Sequence, residues 1–147
     1  MTAAVQLVVR PRRIRVVAGI VAAVLLAVFV VVAVFLKQSD TGATFNTSDQ
    51  VGMVGIGLFL AALVLWSTWP RVRADLEFVE VRNMLGAHRF SWSEIVKVSF
   101  PDGARWARLE LPEDEYLPML AIQAFDRERA VAAMRELRRL HRESLSG

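Results

Sequence analysis

Residues 16–36 read VVAGIVAAVLLAVFVVVAVFL, which is 21 consecutive residues without a charge. At about 1.5 Å per residue, an α-helix of this length spans roughly 30 Å, the thickness of a bilayer's hydrocarbon core. A second uncharged run, VGMVGIGLFLAALVLWSTW, occupies residues 51–69 and stops at Pro70. Because lipid forces every backbone amide to bond within its own segment, the two runs predict transmembrane helices joined by a polar loop at residues 37–50.

Two other interpretations of the first run compete with this one. A cleaved signal peptide also has a basic start, but its apolar region covers only about 7–15 residues. No clear Ala-x-Ala site follows the run, since the loop offers only Thr-Gly-Ala at 41–43. A soluble protein with two buried helices would need more chain than the remaining residues provide to cover them. The transmembrane hairpin is therefore preferred.

The distribution of charge predicts the orientation. Four arginines and no acid precede the first run, Arg71 and Arg73 follow the second, and the loop between them carries one lysine and two aspartates. The positive-inside rule then predicts a multi-pass protein of the inner (plasma) membrane, with both termini in the cytoplasm. The predicted domains are a basic cytoplasmic arm at 1–15, the transmembrane hairpin at 16–69 with its loop outside, and a cytoplasmic domain at 71–147.

Small residues recur at every fourth position in both runs, and this spacing lets two helices approach closely. The positions are Gly19, Ala23 and Ala27 in the first run, and Gly57 and Ala61 in the second. They predict an antiparallel helical hairpin, although Ala and Gly are also simply common in membrane helices.

The remaining chain predicts an α+β domain. Alternating apolar and polar residues indicate short antiparallel strands up to residue 125, and Asp126 is a suitable N-cap for a helix reaching about Arg142. The strands are a first hairpin from Leu76 to Phe90, then Val96–Phe100, Ala104–Leu111 and Tyr116–Gln123. The predicted apolar stripe of the helix comprises Ala130, Val131, Met134, Leu137 and Leu140.

The turn at Pro101-Asp102-Gly103 allows the register of its hairpin to be predicted. A two-residue Asp102-Gly103 turn places Lys97 opposite Arg108 and puts Val96, Val98, Ala107 and Leu109 on one face. Lys97, Arg108 and Trp106 then share the outer face and predict a contact with a partner's carboxylates or with lipid headgroups. The alternative is that Glu94 and Glu110 neutralise the two bases while Trp106 covers a neighbouring strand.

Composition excludes several classes of chemistry. The chain has 147 residues and no cysteine, so disulfides, zinc–thiolate sites and thiol nucleophiles are excluded. Residues 71–147 hold 13 bases and 13 acids, and this balance argues against a nucleic-acid partner. Neither His88 nor His141 has metal-ligand spacing, and no phosphate loop or serine-nucleophile motif is present. We therefore expect no enzymatic activity, no cofactor and no metal.

The order of elements in Leu76–Arg142 resembles the bacterial PH-like domain of the low-molecular-weight protein antigen 6 type, found in small actinobacterial membrane proteins. The resemblance rests on the first hairpin, the Trp92-Ser93-Glu94-Ile95 step, the strand at 104–111 and the final helix. It implies a curved sheet or partial barrel plugged by the C-terminal helix. The segment lacks the lysine and base-x-Arg pattern with which eukaryotic PH domains bind phosphoinositides.

These observations lead to two functional hypotheses. The first is an integral membrane adaptor or accessory subunit whose PH-like domain docks a membrane or cytoplasmic protein. The second is an anionic-lipid sensor in which Arg71, Arg73 and the N-terminal arginines meet headgroups. An anchored enzyme is disfavoured because catalytic constellations are missing. The predicted contact residues are Lys97, Trp106, Arg108, Arg71 and Arg73.

Overall fold

The computed structural model of the protein describes residues 7–39, 42 and 44–147, and the chain divides into two compact units. Residues 14–68 form a helical unit, and the described residues before and after it form a β-domain. The helices are α1 (Arg12–Gln38), α2 (Thr47–Trp66) and α3 (Glu128–Ser146). The strands are β1 (Leu7–Val9), β2 (Arg71–Ala74), β3 (Phe78–Arg82), β4 (Ala87–Ser91), β5 (Lys97–Ser99), β6 (Trp106–Glu110) and β7 (Tyr116–Gln123).

Helices α1 and α2 are both long and apolar enough to cross a membrane, as the two uncharged runs predict. Each extends beyond its run into the predicted loop. Helix α2 begins after Asn46, whose backbone N–H donates to the Asp49 carboxylate at 2.9 Å in a capping box. The Lys37 ammonium donates to Thr47 Oγ1 at 3.3 Å, so polar side chains join the adjacent ends of the two helices. These contacts explain why both helices continue into the predicted loop, whereas α2 stops at Trp66, three residues before its uncharged run ends.

The two helices pack through Gly57 of α2. A Cβ added at Gly57 would lie 2.7 Å from Cβ of Phe29, so only glycine allows this approach. Gly57 and Ala61 are buried, as the spacing of small residues predicts for the second run. In α1 the prediction is wrong, because the buried positions are Ala18, Ala22 and Ala33 instead of Gly19, Ala23 and Ala27. The large Phe29 side chain, which fits against Gly57, lies on a different face of α1 from the one that the predicted stripe occupies.

The first sheet of the β-domain has the strand order β1-β2-β3-β4, and all its neighbours are antiparallel. Its first strand comes from the segment predicted as a separate arm. Leu7 pairs with Ala74 and Val9 with Val72, and both apolar side chains pack against the core. The β-domain therefore begins before α1. The sequence does not predict this strand, because three residues are too few for the alternation of apolar and polar side chains to be recognised.

The second sheet has the order β5-β6-β7, and its β5–β6 register differs from the prediction by two residues. Lys97 lies opposite Glu110, and Ser99 lies opposite Arg108. The Pro101–Ala104 turn closes through a 3.0 Å backbone bond with Gly103 at φ +76°, but regular pairing begins only at Ser99. A shift of two keeps Val98, Ala107 and Leu109 buried, whereas Val96 is 61% exposed, so its predicted core position is wrong.

Helix α3 closes one continuous core between the two sheets. Its buried residues are Ala130, Ala133, Met134, Leu137 and Leu140, so the predicted stripe is confirmed except at Val131, which is 51% exposed. The helix begins at Glu128, and Asp126 does not cap it. Instead the buried Asp126 carboxylate accepts a 3.2 Å hydrogen bond from the backbone of Arg13, which ties the N-terminal segment to this corner of the domain.

Candidate functional site

The predicted contact residues of the second sheet do not form a like-charge surface. Lys97 faces Glu110, and Nε of Arg108 lies 3.8 Å from Glu110 Oε1 and 3.4 Å from Ser99 Oγ. The Arg108 guanidinium also lies 4.9 Å from the centroid of the Tyr116 ring. The predicted opposition of Lys97 and Arg108 is therefore wrong, because the turn does not bring its two flanking residues into the ladder.

Trp106 lies beside a bulge between Trp106 and Ala107, and it pairs with Gln123 at the end of β7. The side chain is 40% exposed, so part of the indole packs on the domain and part meets solvent. The participation of Trp106, Lys97 and Arg108 in a partner contact stays a prediction.

Arg71 and Arg73 lie in the other sheet, on β2, where they join Arg82, which the contact prediction omits, and Arg10, one of the N-terminal arginines in the lipid hypothesis. Arg71 lies directly opposite Arg82 of β3, and Arg73 lies opposite Glu80. Arg10, one residue after β1, acts electrostatically on Arg71 as well. We call Arg10, Arg71, Arg73 and Arg82 the sheet-face arginine cluster. The alternation in Arg71-Val72-Arg73 and Glu80-Val81-Arg82 places these charges on one face, but only the strand register shows that they are neighbours.

The positive charge of the cluster is not neutralised by ion pairs with neighbouring carboxylates of the described residues. Loss of solvation lowers the pKa of Arg71, and the neighbouring Arg73 and Arg82 charges lower it further, while Glu80 acts in the opposite direction. Nε of Arg71 is shielded from solvent and has no hydrogen-bond partner. Within residues 7–39, 42 and 44–147, no carboxylate lies within 4.0 Å of a cluster guanidinium. The arrangement can therefore accept an anion.

Aromatic rings adjoin these arginines. The Arg82 guanidinium lies 5.8 Å from the centroid of the Trp69 ring, and Trp69 is 59% exposed. On the neighbouring strand, the Arg89 guanidinium lies 3.4 Å from the centroid of the Phe78 ring. These cation–π contacts hold two guanidinium groups at defined positions on the sheet face.

A second surface, which we call the α3 groove, runs along the C-terminal helix. It is a cavity of about 700 Å³ whose floor includes Phe100, Ala130 and Met134 and whose rim includes Arg135 and Arg138. A neighbouring depression of about 610 Å³ next to Val96–Val98 shares both rim arginines. The sequence does not reveal this groove, because its floor residue Phe100 comes from a loop that is distant from α3 along the chain.

Two of the three acids of α3 are already engaged, and the third, Glu128, lines the α3 groove together with Arg127. Arg139 binds Glu136 and also Glu143, the latter at 2.7 Å, and the hydrogen bond from Arg139 lowers the pKa of Glu136. This arrangement leaves Arg135 and Arg138 without an ion pair within 4.0 Å among the described residues. Arg138 is instead positioned by a 3.3 Å hydrogen bond from its Nε to the Val98 carbonyl.

Both histidine rings contact other groups of the β-domain. His141 Nε2 lies 3.0 Å from the Ile95 carbonyl oxygen, and its ring lies 5.5 Å from the Trp92 ring. His88 stacks on Phe90 at 6.4 Å. In the described part of the chain, no group of three or more histidines and acids could hold a metal ion.

Two antiparallel sheets closed by a C-terminal helix are the architecture of a PH-like domain, and comparison with known proteins gives the same class. Residues 69–140 match the model of the family described as bacterial PH domain, and the chain belongs to that family. The predicted resemblance over Leu76–Arg142 is confirmed by this match, and so is the α+β fold class.

The chain is also similar to three curated relatives, an uncharacterized protein of Mycobacterium bovis and uncharacterized proteins of two Mycobacterium tuberculosis strains. Each is 50% identical to it over 105 residues, which cover 71% of this chain and 68% of the relative. These actinobacterial relatives agree with the kind of organism that the resemblance implies. No solved structure matches the chain.

Proposed function

We propose that this chain is an integral membrane protein whose PH domain is a non-catalytic docking module for a partner protein. Helices α1 and α2 insert as a hairpin in the cell membrane, and both termini lie in the cytoplasm. The apolar length of the two helices supports insertion, and the arginines that flank them support this orientation. The observation that carries the docking role is the α3 groove.

The groove fits an acidic amphipathic segment of the partner. Its floor offers apolar surface, with Val131 of α3 exposed at its edge. Its rim offers Arg135 and Arg138, whose charges are not taken up by the acids of α3. The apolar side chains of such a segment would pack against the floor, and its carboxylates would pair with the rim arginines. Amphipathic helices bind apolar grooves in this way. The occupant we propose is such a segment of another protein.

Site-specific photo-crosslinking of the full chain in its native membrane tests this proposal. A photoreactive phenylalanine analogue at Val131 should give a discrete crosslinked product, whereas the same analogue at the fully exposed Leu85 should not. Mass spectrometry should assign the crosslink to a partner segment with net negative charge and an apolar face.

Charge reversal supplies the control for that experiment. Combining Arg135→Glu with Arg138→Glu should abolish the Val131 crosslink, because like charges would then oppose the partner. Arg105→Glu with Arg129→Glu makes the same change in net charge at exposed positions outside the groove, and it should leave the product intact. The docking proposal fails if the crosslink is unaffected by the rim variants, or if the captured segment belongs to a second copy of this chain.

A further inference from the structure

The sheet-face arginine cluster is a surface that the docking role does not use. We propose that it binds the phosphate groups of anionic lipid headgroups at the membrane surface where α1 begins and α2 ends. This inference rests on the proposed membrane insertion but is independent of the α3 groove.

The first support is the arrangement of like charges within the sheet. Arg71 and Arg82 are directly paired across neighbouring strands, and like charges in such positions destabilise a sheet. Glu80 is the single acid that faces the cluster on these two strands, and it lies opposite Arg73. Four guanidinium groups with one facing carboxylate therefore retain positive charge, which a bound anion would neutralise.

The second support is the state of Arg71 itself. Its Nε–H is buried and donates to no acceptor, although a guanidinium offers five donors in a fixed planar fork. Because solvent does not reach Nε, a surface anion would meet Arg71 through the terminal NH2 groups of its guanidinium. Phosphate suits this geometry because two of its oxygens can accept parallel bonds from one guanidinium.

The third support is the covalent connection of the cluster to the helices. Arg10 precedes the first residue of α1 by two positions, and Arg71 follows Trp66, the last residue of α2, by five. At no more than about 3.6 Å per residue, the chain cannot carry these arginines far from the helix ends. The exposed Trp69, against which Arg82 stacks, is a residue type enriched at membrane–water interfaces. Lipid phosphate is therefore favoured over an acidic peptide.

Native mass spectrometry of the full chain in detergent can measure the affinity directly. We expect phosphatidylglycerol to bind more tightly than phosphatidylcholine, whose choline group cancels the phosphate charge. Combining Arg71→Gln with Arg82→Gln should weaken phosphatidylglycerol binding by roughly 30-fold, since each base contributes a factor of about five near an anionic surface. Added salt should weaken binding to the unaltered chain more than binding to the variant.

Matched variants separate the site from net charge. Arg105→Gln with Arg129→Gln removes the same charge from exposed positions outside the cluster and should leave phosphatidylglycerol binding within about twofold of the unaltered chain. Arg71→Lys with Arg82→Lys keeps the charge but loses the planar fork, and should give an intermediate affinity. Near-ultraviolet circular dichroism of each variant reports whether the domain has folded.

The remaining outcomes would overturn the assignment. Equal loss of binding in both glutamine pairs would show that only net charge matters. Glycerol phosphate or inorganic phosphate binding as tightly as the lipid would show that the ligand is free phosphate. If a synthetic acidic peptide displaces the lipid at a lower concentration than glycerol phosphate does, the natural ligand of the cluster is a protein. Extraction of the chain from membranes by alkaline carbonate would instead refute the insertion on which the proposed function also rests, whatever the lipid affinity.

Discussion

The indole Nε1 of Trp92 donates a 2.7 Å hydrogen bond to the backbone carbonyl of Asp75, and both residues are buried. Asp75 in turn organises the β2–β3 connection, since its Oδ1 accepts from the backbone N–H of Glu77 at 2.8 Å and of Phe78 at 2.9 Å. On its other side, the Trp92 ring contacts His141 of α3. One side chain therefore links the first sheet, the short turn before β5 and the C-terminal helix.

Substitutions at Trp92 should show how much this link contributes to the free energy of unfolding. Trp92→Phe keeps an aromatic ring but leaves the Asp75 carbonyl unpaired, and we expect the free energy of unfolding to fall by about 1–3 kcal/mol. Trp92→Ala should cost about 3–5 kcal/mol because it also opens a cavity. Urea unfolding of the full chain in detergent, followed by near-ultraviolet circular dichroism, provides the measurement. Trp106→Phe, at a partly exposed position, should cost no more than about 0.5 kcal/mol.

Strand β1 offers a test with adjacent residues on opposite faces. Val9 packs against the core, so Val9→Asp should lower the free energy of unfolding by about 2 kcal/mol or more through burial of an unpaired charge. Val8 is 51% exposed and lies opposite Arg73, so Val8→Asp should be nearly neutral. The same urea titration compares them. Equal effects of the two substitutions would mean that residues 7–9 do not form part of the sheet.

The helical unit can be tested at two glycines of α2. Gly57→Ala should destabilise the hairpin by about 1–3 kcal/mol, because the new Cβ meets Phe29 at 2.7 Å in a packed interface. Gly55→Ala introduces the same methyl group where nothing lies within 4 Å, and it should be neutral or slightly stabilising through helix propensity. The melting temperature in detergent distinguishes the two variants. A lower melting temperature for Gly55→Ala than for Gly57→Ala would contradict the observed packing.

The proposed orientation can be tested because the chain has no cysteine of its own. A cysteine replacing Ser48, at the start of α2, should react with a membrane-impermeant thiol reagent on intact cells. A cysteine replacing Ser146, at the end of α3, should react only after permeabilisation. The opposite pattern would reverse the orientation, and labelling of both sites on intact cells would mean that α2 does not cross the membrane.

Much of the fold follows from local pattern. The two uncharged runs predict both apolar helices because neither length nor the absence of charge depends on distant residues. The 3.6-residue period of α3 correctly predicts Met134, Leu137 and Leu140 as core residues. Val131 is the exception. It lies at the margin of the apolar stripe, and whether such a residue is buried depends on how far the sheets extend beneath the helix.

Tertiary structure decided what local periodicity leaves open. A two-residue slip of β5 against β6 preserves the inward and outward alternation of both strands, so the pattern alone could not separate Lys97 opposite Arg108 from the observed Lys97 opposite Glu110. The addition of β1 to the edge of β2 likewise depends on a contact between segments separated by both apolar helices.

The sequence by itself determined that two apolar helices precede an α+β domain, because hydrophobic length and period are properties of neighbouring residues. It also presented Arg71 and Arg73 as basic residues after the second run. Only the tertiary structure placed Arg82 opposite Arg71 and brought Phe100 to the floor of the α3 groove. Both surfaces arise from cross-strand or long-range contacts, whose partners are selected by packing of the whole domain and not by spacing along the chain.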